Sequence, residues 1–339
     1  MREKVTINDV ARLAGVSKRT VSRVINNSPM VGEKSRKKVA QIIADLEYKP
    51  NPQARGLAAS RSYLIGMIYD NPDPFFIESV MRGISSVCLD NGYELVVHPC
   101  EYEAGALADN VINFISRAKI DGIVIPPPLS ENDELAAALD EAMVPFVRLA
   151  AVSMDEPHRM VVSDERAGAK NMTEYLISRG HRRIGYISGP RGLKSTQQRR
   201  HGFYDAMKQH DLEVDQEIVM RGDYSFDSGV RAGTELMNLK QLPTAVFASN
   251  DQMAIGAIHA FRVKGLMVPD DISVAGFDDS EVASQIIPGL TSIRRPVRRM
   301  ATQATLKLIA RIDGRDEDAE QKCVLAPELV LRDSVGSVK

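Results

Sequence analysis

At 339 residues, 44% of them apolar, the chain is long enough for two or three domains with sizeable cores. Its net charge of −2 hides an asymmetry: residues 1–62 hold 13 Lys/Arg against 5 Asp/Glu, so this head carries +8 and the remainder −10. A basic head on an acidic body points to a nucleic-acid-binding module joined to a part that does not bind nucleic acid. The start Met-Arg-Glu-Lys lacks an apolar leader, and no run approaches the ~18 apolar residues of a membrane span, which speaks against export and for the cytoplasm.

Residues 6–26 read as two short amphipathic helices meeting at Gly15, whose freedom at positive φ permits a sharp reversal. At about 100° per residue from Lys18, the side chains of Arg19, Ser22, Arg23 and Asn26 gather within about 140° of arc, and Thr20, Val21, Val24 and Ile25 take the other side. Ser17 is a natural N-cap for this second helix. The pair forms a helix-turn-helix with residues 17–26 as the recognition helix; the alternative is a small bundle whose cationic side is merely solvated. A third helix over 34–48 brings Val39, Ile42, Ile43 and Leu46 against Val10, Leu13, Val21 and Val24, with Gly32 a weak cap before it. Two prolines then mark a boundary. Asn51 and Pro52 suit the N-cap and first turn of one more helix, which at about seven residues, with Gly56 inside it, would form only against a partner. A plain linker is the alternative, and an exposed Leu57 between basic and small residues argues against it.

From Tyr63 onward, strand-like runs at 64–69, 94–98, 122–126, 145–149, 184–188, 218–222, 245–249 and 273–277 alternate with amphipathic stretches such as 77–90, 106–118, 167–179, 199–209 and 252–264. Such alternation predicts parallel sheets covered on both faces. Two series meet near residue 160. Polar and aromatic residues decorate the loops after the strands, as in Tyr69-Asp-Asn-Pro-Asp-Pro-Phe-Phe76 and Ala248-Ser-Asn-Asp251. Ligands of open α/β sheets bind at those ends, so two facing subdomains would enclose a small molecule. Cys88, Cys100 and Cys323 show neither a disulfide framework nor a zinc spacing and are expected as buried thiols in a reducing compartment.

The run Thr6-Ile-x-Asp-Val-Ala and Gly15-Val-Ser-x-x-Thr-Val-Ser-Arg-Val-Ile-Asn26 is followed by Tyr48-x-Pro-Asn51, Arg179-Gly-His-Arg-Arg-Ile-Gly185, Gly189-Pro190 and Arg199-x-x-Gly-Phe203. Then come Ala248-Ser-Asn-Asp-Gln-Met-Ala-Ile-Gly256, Val268-Pro-Asp-Asp-Ile-Ser-Val-Ala-Gly-Phe-Asp278 and Leu290-Thr-Ser-Ile293. Any one of these could arise by chance; in this order, along nearly the whole chain, they resemble the lactose repressor (LacI/GalR) family of bacterial transcription regulators.

The resemblance implies an all-α helix-turn-helix domain over 1–49, a hinge helix and linker over 50–62, and an effector-binding and dimerisation core over 63–339. That core would be an α/β, periplasmic-binding-protein-like pair of doubly wound parallel-sheet subdomains, about 63–161 plus 293–322 and about 162–292 plus 323–339, with crossings near Val161, 291–293 and 321–324. Lys18 and Arg19 stand where the family reads base edges in the major groove, and Arg23 shares their face; an Arg forked onto guanine contributes about 1–3 kcal/mol of discrimination. Thr6, Ser17, Thr20, Ser22 and Asn26 suit phosphate contacts, which fix register. Asn51, Arg55, Leu57 and Ala58 fall on the hinge, with Leu57 at the residue that wedges into the minor groove, and Gly56 is a departure that weakens the free helix.

By the same matching, Arg199, Asn250 and Asp278 contact an effector, Phe75, Phe76 and Tyr224 stack on it or wall it, and Asp164 and Ser195 are further candidates. The competing readings are a structural ion pair for Arg199 with Asp278 and core packing for Phe75 and Phe76. Two departures leave the effector open: Arg148-Leu-Ala-Ala151 is mainly apolar where the family often has a polar contact, and Arg191-Gly-Leu-Lys194 carries no signature of a ligand class.

The protein expected is a ligand-responsive repressor of carbohydrate-metabolism genes, with a sugar effector and a pseudopalindromic double-stranded operator. It should be a homodimer, since no leucine heptads trail Leu329-Val-Leu-Arg-Asp-Ser334. The alternatives are a sugar-binding protein without regulatory role, a member responding to a nucleobase, nucleoside or other non-sugar ligand, or an enzyme acting on a sugar. No catalytic residue, metal or cofactor is expected, because the six histidines are scattered and no Gly-x-Ser-x-Gly or phosphate-loop pattern occurs.

Overall fold

The structure, a computed structural model, describes residues 5–25, 30–46, 48, 61–71, 73–102 and 105–338. The chain divides into two compact units, Met1–Tyr63 and Leu64–Lys339.

The first unit contains α1 (Ile7–Ala14), α2 (Lys18–Ile25) and α3 (Glu33–Asp45). The Asp9 carboxylate accepts from Thr6 N at 3.0 Å and Thr6 Oγ1 at 2.7 Å, fixing the start of α1, and Gly15 ends it at a φ of 64°. Ser17 Oγ accepts from Thr20 N at 3.1 Å, the N-cap expected of it. Val10, Val21 and Val39 are wholly buried where the three helices meet. Leu13, expected in this core, is instead 51% exposed. Val10, Ala11 and Ala14 form the inward arc of α1, and Leu13 lies about 110° round from its middle.

The second unit opens with β1 (Leu64–Tyr69), α4 (Pro74–Asn91), β2 (Glu94–Pro99), α5 (Leu107–Ala118), β3 (Gly122–Ile125), α6 (Asp133–Glu141), β4 (Phe146–Ala150) and β5 (Met160–Ser163). There follow α7 (Glu165–Ser178), β6 (Ile184–Ser188), α8 (Lys194–Gln209), β7 (Val219–Arg221), α9 (Phe226–Met237), β8 (Ala245–Ala248), α10 (Asp251–Val263) and β9 (Ser273–Ala275). The last elements are α11 (Glu281–Gln285), β10 (Ser292–Arg294), α12 (Val297–Ile312), α13 (Asp316–Ala319), β11 (Val324–Leu325) and β12 (Glu328–Val330).

The first sheet runs β2-β1-β3-β4-β5-β11 and the second β7-β6-β8-β9, all parallel, while β10 and β12 pair as an antiparallel ribbon. Helices cover both faces of each sheet, as runs of fully buried strand residues such as Ile123–Val124 and Val246–Phe247 require. The chain leaves the first sheet after Ser163, returns between β10 and α12, and leaves again between β11 and β12. The two departures fall a few residues later than expected because β5 and β11 complete the first sheet before the chain leaves, and the return comes later because residues 292–294 stay paired with β12. At Gly202 an added Cβ would lie 2.2 Å from Arg166 O, so the glycine of the Arg199-x-x-Gly motif lets α7 and α8 touch backbone to backbone.

Cys88 is buried, whereas Cys100 and Cys323 are only half-buried; all three are free. Burial pushes the Cys88 thiol up to about 12 and that of Cys100 to about 11, so neither is a ready thiolate. No helix among the described residues is long and apolar enough to cross a membrane.

Candidate functional site

In both sheets the strand order reverses beside the first strand, between β1 and β3 and between β6 and β8. Loops leaving the carboxyl ends of strands at such a reversal diverge and open a crevice. Here the two crevices share one cavity, whose empty space, counted together with its mouth open to solvent, is about 590 Å³. Asn71, Asp73 and Phe76 reach it from the segment after β1, Pro127 from the loop after β3, Leu193, Ser195 and Arg199 from the start of α8, and Asn250 from the loop before α10. Tyr224, Asp278 and Arg295 complete the wall. Helix α8 begins at Lys194, five residues ahead of the start predicted at 199, and so carries Ser195 and Arg199 one turn apart on one buried face. Asn71 ties the first crevice together, donating to Pro127 O at 3.2 Å and accepting from Asp73 N at 2.9 Å.

Four charged side chains close a ring beneath this cavity. Arg199 Nε donates to Glu165 Oε2 at 2.7 Å and its Nη2 to Asp278 Oδ1 at 3.4 Å. Arg295 meets Glu165 Oε1 at 2.8 Å and Asp278 Oδ1 at 3.1 Å. Arg199 also donates to the Ser249 carbonyl. Glu165 is wholly buried: burial alone would raise its pKa, but Arg199 and then Arg295 hold it below the usual carboxylate value. Burial likewise works to lower the Arg199 pKa, and Glu165 followed by Asp278 raises it above the ordinary guanidinium value. The Arg199 guanidinium lies 4.2 Å from the Phe277 ring centroid, and that of Arg295 lies 5.2 Å from the centroid of Phe76.

Capacity for a ligand remains. Three of the five N–H groups of Arg199 are used, and Asn250 spends one N–H on Tyr224 O at 2.9 Å and its oxygen on Met253 N at 3.0 Å. Tyr224 Oη pairs with Thr196 Oγ1 at 2.8 Å, and its ring packs where a Cβ on Gly189 would intrude to 2.4 Å. Tyr224 and Asp278 take φ of 71° and 108°, conformations that side-chain-bearing residues adopt at cost and that concentrate at binding sites. Glu131, in the turn after β3, accepts from the backbone N–H groups of Lys194 and Ser195 at the opposite lobe's helix start, and burial raises its pKa.

Of the expected effector residues, Phe76, Ser195, Arg199, Tyr224, Asn250 and Asp278 line this one cavity. Phe75 and Asp164 do not. Phe75 faces a neighbouring groove with Ser79, Arg294 and Arg298. Asp164 is exposed and turned back on α7 as its N-cap, accepting from Ala167 N at 3.1 Å, so the buried acid of that segment is the next residue, Glu165. Arg148, in the segment that departs from the family, is buried and paired with Asp133 at 3.1 Å and Asp155 at 3.4 Å, outside the cavity lining. Sequence reasoning singles out neither Asp73 nor Glu165 nor Arg295. The Asp73-Pro74 pair is an N-cap and first-turn signature that could have placed the start of α4 at the cavity wall; the other two carry no comparable signal.

In the first unit Ser17, Lys18 and Arg19 are exposed and Thr20, Ser22 and Arg23 half-buried. Lys18, Arg19 and Arg23 have no ion-pair partner among the described residues, whereas the hydroxyls of Thr6, Ser17 and Thr20 are already bonded within the protein. Asn26, Asn51, Arg55, Leu57 and Ala58 lie outside the described residues.

Residues 6–51 match the family model of bacterial regulatory proteins, lacI family, and residues 173–335 match a periplasmic binding protein-like domain. The chain is 35% identical over 337 residues to the probable HTH-type transcriptional repressor ExuR of Bacillus subtilis (strain 168), covering 98% of each. It is 34% identical over 337 residues to the HTH-type transcriptional repressor PurR of Vibrio vulnificus (strain CMCP6), covering 98% of this chain and 99% of that one. Among solved structures it is similar to the lac repressor dimer bound to operator and the anti-inducer ONPF, with a TM-score of 0.77 and 32% identity over 99% of this chain and 100% of that one. A transcriptional regulator CelR–cellobiose complex gives a TM-score of 0.73 and 31% identity over 97% of this chain and 99% of that one.

Proposed function

Because the chain belongs to the lacI family of bacterial regulatory proteins and is a DNA-binding transcriptional regulator, we propose that it represses carbohydrate-metabolism genes and that a sugar held between its two lobes sets its operator affinity. The observation that carries this reading is the cavity. Free N–H groups of Arg199 and Asn250 beside the carboxylate of Asp278 can fork onto neighbouring hydroxyls, and the rings of Phe76 and Tyr224 offer faces for the C–H side of a pyranose. The similar CelR protein is described in complex with cellobiose.

On this reading the chain works in the cytoplasm as a homodimer on a pseudopalindromic operator, as the similar lac repressor dimer on its operator suggests. Lys18, Arg19 and Arg23 read base edges, Thr6, Ser17, Thr20, Ser22 and Asn26 hold phosphates, and Leu57 wedges into the minor groove with Asn51, Arg55 and Ala58 beside it. Gel-shift titration against DNA upstream of the neighbouring genes, with and without a panel of sugars, tests it. Specific binding that one sugar changes is the expected result; absence of specific binding at every half-site spacing, or indifference to every sugar, would overturn it.

A further inference from the structure

Asp73 is the N-cap of α4, and its Oδ1 accepts from Phe75 N at 2.9 Å and Phe76 N at 3.3 Å. The residue is only 4% exposed and lines the cavity, yet Oδ2 accepts no hydrogen bond from any described residue. No cation is ion-paired to it among the described residues. Both guanidinium groups of the cavity, Arg199 and Arg295, are spent on Glu165 and Asp278, which balances that ring without Asp73. Asp223, the remaining acid of the lining, is paired with Arg231 at 3.1 Å. Burial and the nearby Asp278 push the Asp73 carboxyl up to about 6, against the pull of the two backbone N–H groups and of the more distant Arg295, so near neutrality it is still mainly charged. Capping alone does not require that charge, since asparagine caps a helix as well as aspartate and the helix dipole favours the anion by only about 0.3–1 kcal/mol. A buried carboxylate with an open oxygen and no partner is one that awaits a donor.

Resting on the cavity being the effector site, we infer that Asp73 is a specificity-determining residue whose Oδ2 takes a hydroxyl or ammonium donor of the effector and whose uncompensated charge shuts out effectors bearing a carboxylate or phosphate. An acidic sugar would add a negative charge beside Asp73 in a cavity whose two guanidinium charges are already balanced by Glu165 and Asp278, whereas a neutral or amino sugar completes the hydrogen bonding of Oδ2.

The test uses the full-length protein at pH 7 and calorimetric titration with glucose, glucosamine and glucuronate, and with galactose, galactosamine and galacturonate. In any series that binds, the neutral or amino form should bind at least about tenfold more tightly than the uronate, and D73N should compress that ratio about tenfold or more. A uronate that binds wild type best, or a ratio unchanged in D73N, would overturn the inference. Should none of these six sugars bind, the uncompensated charge on which the exclusion rests is decided by thermal unfolding without ligand, and the inference stands or falls with it. D73N keeps the cap and removes the uncompensated charge, so a higher melting temperature than wild type supports the inference and an equal or lower one overturns it.

Discussion

Replacing Glu165 by glutamine keeps the volume and one acceptor oxygen, removes one charge from the buried ring and turns the other oxygen into an N–H donor that faces a guanidinium. Arg199 and Arg295, 3% and 8% exposed, would then share Asp278 alone. Each guanidinium lies within hydrogen-bond reach of Glu165, at 2.7 and 2.8 Å, so the charge centres are about 4 Å apart; at an effective dielectric of about 20 each attraction is about 4 kcal/mol. Desolvating the wild-type carboxylate offsets several kcal/mol of that sum, while the two cations stay buried in the variant. The expected net loss is about 3–5 kcal/mol, the range for breaking a buried ion pair from one side. Asp164, one residue earlier, is exposed and its carboxylate bonds only its own helix, so Asp164→Ala should cost about 1 kcal/mol, the usual loss of an N-cap. The chain has no tryptophan, so urea unfolding is best followed by far-ultraviolet circular dichroism. A loss below about 1 kcal/mol for E165Q, or a larger loss for D164A than for E165Q, would refute the ring as an organising element of the cavity.

Arg23→Ala should lower affinity for the operator about 10- to 100-fold and for random DNA much less; an equal loss on both would remove Arg23 from base reading. Stability should also respond to pH through Asp73, at about 6, and Asp251, at about 8, both raised by burial and then by Asp278 from an ordinary value of 3.8. With folded values above unfolded ones, the stability they contribute is present below about pH 4 and lost as pH rises through about 6 and about 8. His181, held below its usual value by burial, works the other way as pH rises past about 6.5. Subtracting wild type from D73N isolates Asp73: the variant's advantage in unfolding free energy should grow between about pH 3 and 7, by up to about 3 kcal/mol, most of it between the unfolded value of 3.8 and the folded value of about 6. A difference that stays flat over that window would contradict the raised pKa.

Strands were readable as short continuous apolar runs, as at β1 and β6, and helices wherever a 3.6-residue apolar rhythm was strong, as at α10. The start of α8 was not, because Lys194, Ser195 and Thr196 carry little apolar signal and the helix is held there by Glu131 from another part of the chain. The Asp164–Glu165 boundary shows the same limit. Both residues are acidic and adjacent, and only the helix start decides that one faces solvent and the other Arg199. Leu13 illustrates the converse: on an eight-residue helix a single register step moves a leucine from the core to its flank. The motif residues Arg199, Asn250 and Asp278 could be named from their runs, but Asp73 and Arg295 join them only through two crossings of the chain.

A sugar site coupled to an operator site in one protein is measurable from either end by thermodynamic linkage. Titrating the sugar that alters the gel shift into the protein alone, and into the protein saturated with operator, yields two dissociation constants. Their ratio should equal the factor by which the same sugar changes operator affinity, about 5- to 150-fold for a typical allosteric coupling. Equal sugar affinities in the two titrations would contradict the coupling outright.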